Sequence, residues 1–362
     1  MTDGDWETEF AKYRLSPEFR QLRPDMTVDE FKPIFWFEYG HRMLGRSLGL
    51  IFGLPAVYFV ARGHVKRPLA PALGLLFVMG GSQGLIGWWM VKSGLEEVKV
   101  GSGTGYGGYD IPRVSPYRLA THLSSAFAIY SLIVWTGFTV LRETPYLASR
   151  APAEIADAMR LGRLVRPLGG LVAVTAISGA YVAGMKAGHH FNTFPLMDGE
   201  LVPEGYGSEL RPYWRNFFEH IPTVQFDHRV LATTTLAATT AIWAYSRRLP
   251  ALPRRVRFGI DATLGMACVQ VSLGITTLLY VVPVWLGAAH QGGALTLFTI
   301  LLWTLHGLRV PRGGPALKNA RRLLANTQNG TKSTTPVAAR VRTPIVQAKR
   351  LYITCTAETI QT

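Results

Sequence analysis

The sequence predicts an all-α polytopic membrane protein made of two pseudo-repeated helical bundles, and three observations predict it. Long apolar runs alternate with short polar segments along most of the 362 residues, every second connection is strongly basic, and two stretches repeat one another at a fixed offset. Crossing the hydrocarbon of a bilayer takes about 20 mostly apolar residues. Seven segments meet that length: 34–61, 69–91, 118–141, 165–186, 225–246, 257–282 and 285–308. Lipid offers the backbone no hydrogen-bond partners, so each should be a helix. Pro55 and Gly80-Gly81 fall inside them, as membrane helices tolerate.

Loop charge gives the orientation. Loops 62–68, 142–166 and 247–257 hold 13 Lys/Arg in 43 residues, whereas the alternate segments 1–33, 92–117 and 187–224 hold 10 in 97. The denser set belongs on the cytoplasmic or matrix side. Residues 1–33 then form an outer segment and 311–362 an inner tail, the parity that seven spans require. Between them lie a first-half bundle (34–141), an inner linker (142–164) and a second-half four-helix bundle (165–310).

The formal net charge of +15 would suggest nucleic acid in a soluble protein. Here the basic residues separate apolar runs, and nine of them, against one acid, follow Val310. Membrane topology explains the charge, and no nucleic-acid partner is expected. From about Gly313 onward no apolar period is evident and a disordered basic tail, in reach of membrane lipid, is predicted. Cys268 and Cys355 have neither metal-site nor disulfide-framework spacing. With eight acids and five bases, residues 1–33 do not read as a targeting sequence.

The repeat carries the chemistry. Glu38-Tyr39-Gly40-His41-Arg42 aligns with Gln225-Phe226-Asp227-His228-Arg229 at an offset of 187, which also takes Gln83 to Gln270 and Gly87 to Gly274. A third helix in each half opens with a histidine, His122 and His290. The span 165–186 before the second unit has no counterpart before the first, so a first helix is expected to be missing and the chain to start late.

Ionisable residues inside spans usually mark function. His41, His122, His228 and His290 fall near the outer ends of spans running in one direction, two per repeat unit. That pattern suits two porphyrin irons, each ligated by imidazoles of facing helices. Zinc or copper fits less well, because no Cys or carboxylate cluster accompanies the set. Glu38 lies on the His41 face of its helix, and its repeat mate is the neutral Gln225. This asymmetry points to proton chemistry in the first half and cofactor holding in the second; an interfacial carboxylate paired with a nearby Arg is the plainer reading. Arg42, Arg118 and Arg229, each near a histidine, are candidate anchors for haem propionates, with interfacial snorkelling as the alternative. His64, His189, His190 and His220 lie in loops, and His306 is 16 residues beyond His290, too far along a helix to share its site.

These residues resemble the haem A synthase family. The resemblance rests on Glu38-Tyr-Gly-His-Arg-Met-Leu-Gly-Arg46, Gln83 to Glu97, Asp110-Ile-Pro-Arg-Val114, Tyr117-Arg-Leu-Ala-Thr-His122, Asn192-Thr-Phe-Pro195, Gln225-Phe-Asp-His-Arg229 and Ala289-His-Gln291, in order over about residues 5–310. Lys92-Ser-Gly-Leu-Glu-Glu97 and Asp110 to Val114 look like the mitochondrial branch.

The resemblance implies eight helices in two halves and an oxidoreductase of the mitochondrial inner membrane, with residues 1–33 toward the intermembrane space. It implies oxidation of the C8 methyl of haem O, by two hydroxylations and loss of water from the gem-diol, to the formyl of haem A for cytochrome oxidase assembly. His41 and His122 then correspond to the substrate haem, His228 and His290 to a haem B, and Glu38 to a catalytic glutamate. Electrons would pass through the haem B or come from a ferredoxin-type donor. Haem O synthase and a further copy of the chain are the other partners considered. The family's first helix, with a Gly-Gly-x-Thr-Arg segment, is absent here, as the repeat indicates, which would leave the substrate haem open on one side. An electron-transferring b-type cytochrome and a haem transporter or chaperone are the rival readings.

Overall fold

The computed structural model describes residues 1–66, 69–96, 113–142, 144–310 and 313–328. Glu97 and Asp110 to Pro112 of the motifs above, and residues 329–362 of the tail, lie outside that set. Among the described residues the only extended pairing is an isolated bridge between Met197 and Glu200; the remaining regular structure is helical.

In chain order the helices are α1 (Asp3–Arg14), α2 (Pro17–Leu22), α3 (Val28–Ala61), α4 (Ala70–Gly94), α5 (Pro116–Leu141), α6 (Pro152–Gly184), α7 (Asn216–Glu219), α8 (Ile221–Arg247), α9 (Arg254–Leu279), α10 (Val284–Gly307) and α11 (Pro315–Gln328). Six of them, α3, α4, α5, α6, α9 and α10, are long and apolar enough to cross a membrane. The seventh predicted span is α8. It has the length, but Gln225, Asp227, His228, Arg229 and the threonines at 233–235, 239 and 240 make it more polar than the rest.

Local chemistry sets the helix ends. Thr2 with Asp5 and Thr27 with Glu30 form reciprocal capping boxes that open α1 and α3. Helix α3 therefore begins six residues before the predicted span, and its first turns join α1 and α2 in an aromatic cluster of Trp6, Phe10 and Phe31. Between α9 and α10, Val281 and Val282 adopt φ of 57° and 55°, a region β-branched residues rarely enter. The Val282 side chain fills the space where a Cβ on Gly188 would sit, so this hairpin requires glycine at 188.

Helices α6, α8, α9 and α10 pack as a four-helix bundle, with α5 docked on α6 and α10. Its core includes Leu161, Val165, Val256, Ile260 and Leu301, all nearly or fully inaccessible. In the first half, α4 packs on α5 and α3 packs mainly on α4 and α1, leaving Phe37, Ile51 and Leu54 of α3 exposed.

Two predicted boundaries are corrected. Residues 142–164 are not a simple linker, because α6 starts at Pro152, with the Glu154 carboxylate accepting from the Ala151 N–H at 3.1 Å. Asp157 pairs with Arg160 at 3.0 Å and accepts from the Ala251 N–H at 3.1 Å, so charges that read as loop are consumed in packing. Residues 315–328 are helical rather than disordered: Leu317, Ala320 and Leu324 form one apolar stripe, buried where α11 packs on α6. The short stripe was hidden between Lys and Arg residues. Ala320→Asp should therefore bring amide exchange across 315–328 to surface rates while α8 keeps its protection; unchanged protection would mean that α11 does not depend on this contact.

Candidate functional site

His122, His228 and His290 are the seventh, eighth and seventh residues of α5, α8 and α10, each about two turns from the helix start. His41 is the fourteenth residue of α3, because that helix extends outward before the span begins. His122, His228 and His290 are half-buried and His41 is exposed. His41 lies near enough to His122 to act on its ring electrostatically, and His290 bears on His228 in the same way.

The same device holds one histidine in each half. The side-chain amide of Gln83, on α4, approaches His122 Nδ1 at 3.2 Å and donates to the His122 carbonyl at 3.0 Å. The amide of Gln270, on α9, makes the same two contacts with His290, at 3.2 and 3.0 Å, and lies 3.5 Å from Nε2. Each ring also lies against a glycine one turn further along the glutamine helix. A Cβ on Gly87 would stand 3.0 Å from His122 Cε1, and one on Gly274 would stand 2.9 Å from His290 Cε1. The residues that mark the repeat thus grip the histidine on the third helix of each unit.

His228 is held from α6 instead. Its Nδ1 lies 2.7 Å from Ser178 Oγ, and its Cε1 would stand 3.2 Å from a Cβ on Gly179. Ser178 and Gly179 were not singled out from sequence, although an adjacent Ser-Gly pair within a span was the available signal.

The halves differ in their polar balance. Ser125, three residues after His122, donates to Gln83 Oε1 at 2.5 Å. Its counterpart after His290 is Gly293, and Gln270 Oε1 is buried without a partner. Gln225 Oε1 and Arg229 Nε are likewise buried and unpartnered. Glu38, by contrast, is 54% exposed and pairs with the equally exposed Arg42 at 3.4 Å, which is the plainer of its two sequence readings. Arg118 donates to the Trp89 carbonyl at 2.9 Å and stacks on the Trp89 ring.

The loop between α6 and α7 closes over the second half. Arg229 donates to the carbonyls of Phe191, Pro195 and Leu196, and Gln225 donates to Phe191 at 2.9 Å. Asn192 ties the loop down by donating to the Gly188 and Leu278 carbonyls at 2.6 and 3.0 Å. Tyr206 donates to Asp227 at 2.8 Å; burial first, then that carboxylate, pushes its hydroxyl up to about 12, so it remains a donor well above neutral pH. His220 contacts Thr223 at the start of α8, and His306 lies at the opposite end of the bundle beside Thr139. Among the described residues no three His, Cys, Asp or Glu side chains converge as a metal site.

Comparison with known proteins bears on this arrangement. The family model described as "Cytochrome oxidase assembly protein" (COX15-CtaA) matches residues 1–302. The chain belongs to that family. The "Heme A synthase COX15" of Arabidopsis thaliana is 48% identical over 311 residues, 86% of this chain and 66% of the relative. The protein of the same name from Homo sapiens is 44% identical over 309 residues, 85% of this chain and 72% of the relative. The "Heme A synthase" of Nitrosospira multiformis is 42% identical over 309 residues, 85% of this chain and 81% of the relative. No solved structure matches. The relatives are named as haem A synthases, and the family is one of oxidoreductases.

The close approach at glycine can be tested without any ligand. Gly274→Val should destabilise the protein by about 1–3 kcal/mol, read as a lower melting midpoint in detergent. Gly287→Ala, which meets open space, should change stability by less than about 0.5 kcal/mol. Equal midpoints would show that the ring does not pack on α9.

Proposed function

We propose that this chain acts as a haem A synthase, oxidising the C8 methyl of haem O to the formyl group of haem A within a multi-pass assembly in the mitochondrial inner membrane. The observation that carries the proposal is the duplicated Gln–His–Gly contact, Gln83–His122–Gly87 and Gln270–His290–Gly274, which fixes an imidazole at the same place in each half.

The environments support the residue roles that the resemblance implies. His228 and His290 would hold a haem B, a fit supported by their mutual proximity and by the buried, unpartnered Gln225 Oε1, Gln270 Oε1 and Arg229 Nε around them. When bound, such a haem supplies one-electron redox chemistry. His41 and His122 would hold the substrate, with the exposed side of α3 open to lipid for the farnesyl tail. Of the candidate propionate anchors, Arg229 and Arg118 already brace backbone carbonyls while Arg42 is paired only with Glu38; Arg42 would exchange that carboxylate for a propionate.

That exchange frees Glu38. It stands three residues before His41 on the same helix face and accepts a proton as the methyl carbon is oxidised, or balances positive charge developing there. Each of the two hydroxylations would add one oxygen to the methyl carbon, either from water, with two electrons and two protons leaving, or from dioxygen, with two electrons and two protons taken up and the second oxygen leaving as water. The alcohol and then the gem-diol result, and the gem-diol loses water to leave the aldehyde. A ferredoxin-type electron donor and haem O synthase are the proposed partners, on the intermembrane-space orientation of residues 1–33 that loop charge favours.

Glu38→Gln should retain bound haem while the product halts at haem O or its alcohol; full turnover in that variant would remove Glu38 from the mechanism. His228→Ala and His290→Ala should each lose haem B from the purified protein, and a full complement of haem B in either would overturn the assignment of the second-half pair.

A further inference from the structure

At the end of the bundle opposite the histidines, three arginines surround one tyrosine, with a fourth bound to one of the three. The guanidinium carbons of Arg142, Arg150 and Arg255 lie 5.3, 4.5 and 5.4 Å from the centre of the Tyr146 ring. Arg150 also donates to the Tyr146 hydroxyl at 2.8 Å. Arg309 joins the group by donating to the Arg142 carbonyl and to Thr139 Oγ1, both at 3.1 Å. Arg255 feels the like charges of Arg142 and Arg309.

Among the described residues the cluster is short of negative charge and of acceptors. Glu154 pairs with Arg150 at 3.6 Å. Among the described residues no carboxylate pairs with Arg142, Arg255 or Arg309. The Nε atoms of Arg150, Arg255 and Arg309 are buried with no hydrogen-bond partner, and so is His306 Nδ1 beside them. Among the described residues the Arg255 side chain has no hydrogen-bond partner; its guanidinium stacks on Trp303 at 4.7 Å and on Tyr146. Leaving half-buried guanidinium groups together without an anion is costly. Beside them opens a cleft of about 520 Å³, lined by Tyr146, Arg150, Glu154 and the 250–254 turn.

Planar guanidinium forks match phosphate oxygens. Loop charge assigns this end to the matrix side, where basic pockets between membrane helices meet anionic lipid headgroups. We propose that Arg142, Arg255 and Arg309, with Arg150 at the rim of the cleft, form a binding site for a phosphate group, carried by a phospholipid headgroup or free in solution. An anion there would bridge the end of α5, the start of α9 and the residues after α10, stapling the first half to the second far from the histidines.

Native mass spectrometry of the full chain tests this. Protein is released from bilayer discs of phosphatidylcholine with or without diphosphatidylglycerol, and in parallel is exposed to millimolar inorganic phosphate. Retention of diphosphatidylglycerol over phosphatidylcholine identifies a lipid headgroup; a phosphate adduct without lipid preference identifies the free anion. Either adduct should weaken by about tenfold in Arg255→Gln and Arg309→Gln, with unchanged circular dichroism, and partly recover in Arg255→Lys. Should those variants not fold, phosphate or diphosphatidylglycerol should still raise the melting midpoint of the unaltered protein more than sulfate-free chloride at equal ionic strength or phosphatidylcholine does. No preferential adduct and no such shift would overturn the site, as would equal retention by folded variants.

Discussion

The arrangement depends on one contact made twice: a glutamine amide that reaches across to a histidine on the next helix, over a glycine that lets the ring lie against the backbone. Lipid removes most of the hydrophobic drive for helices to associate, so van der Waals fit and interhelical hydrogen bonds must do that work. Gln83 and Gln270 supply the hydrogen bonds, and Gly87 and Gly274 supply the fit. Because the same glutamine touches both the ring and the carbonyl of its histidine, helix position and imidazole orientation are set together. Control of an imidazole by a neighbouring polar group is how proteins usually prepare a metal ligand.

Upon this shared frame the halves diverge. The second half is a closed four-helix bundle whose loop between α6 and α7 is clamped by Arg229, Gln225 and Asn192, and both of its histidines are half-buried. The first half presents His41 and Glu38 on an exposed helix face, with Ser125 satisfying the glutamine oxygen whose counterpart is left unpartnered in the other half. A sheltered site suits a resident cofactor, and an open one suits a molecule that must enter and leave. Under the proposed division of roles, an acid at 38 fits the half that converts its porphyrin, and the amide at 225 fits the half that only holds one.

Much of this was legible in the sequence. The 187-residue offset identified Gln83, Gln270, Gly87 and Gly274 before their contacts were known, since repetition within one chain reveals positions under a common constraint. Their job was not legible, because nothing in a sequence says that the glutamine of one helix meets the histidine of the next. The grip of Ser178 and Gly179 on His228 has no repeat mate and left no such trace. Helix α11 and the first turns of α6 were hidden by their charges: Asp157, Arg160 and the bases around Leu317 and Ala320 looked like solvated loop, although tertiary pairing and a narrow apolar stripe make them helix. The predicted anchors Arg118 and Arg229 already have backbone partners, a competition that composition cannot display.

The central claim is that paired imidazoles in the two halves serve two different porphyrins, one resident and one being converted. Extraction of pigment from the purified full chain, followed by mass analysis, tests it most directly. The account predicts haem B together with haem O, its hydroxylated forms or haem A. Haem B alone at both sites, or a colourless protein from haem-replete cells, would contradict it.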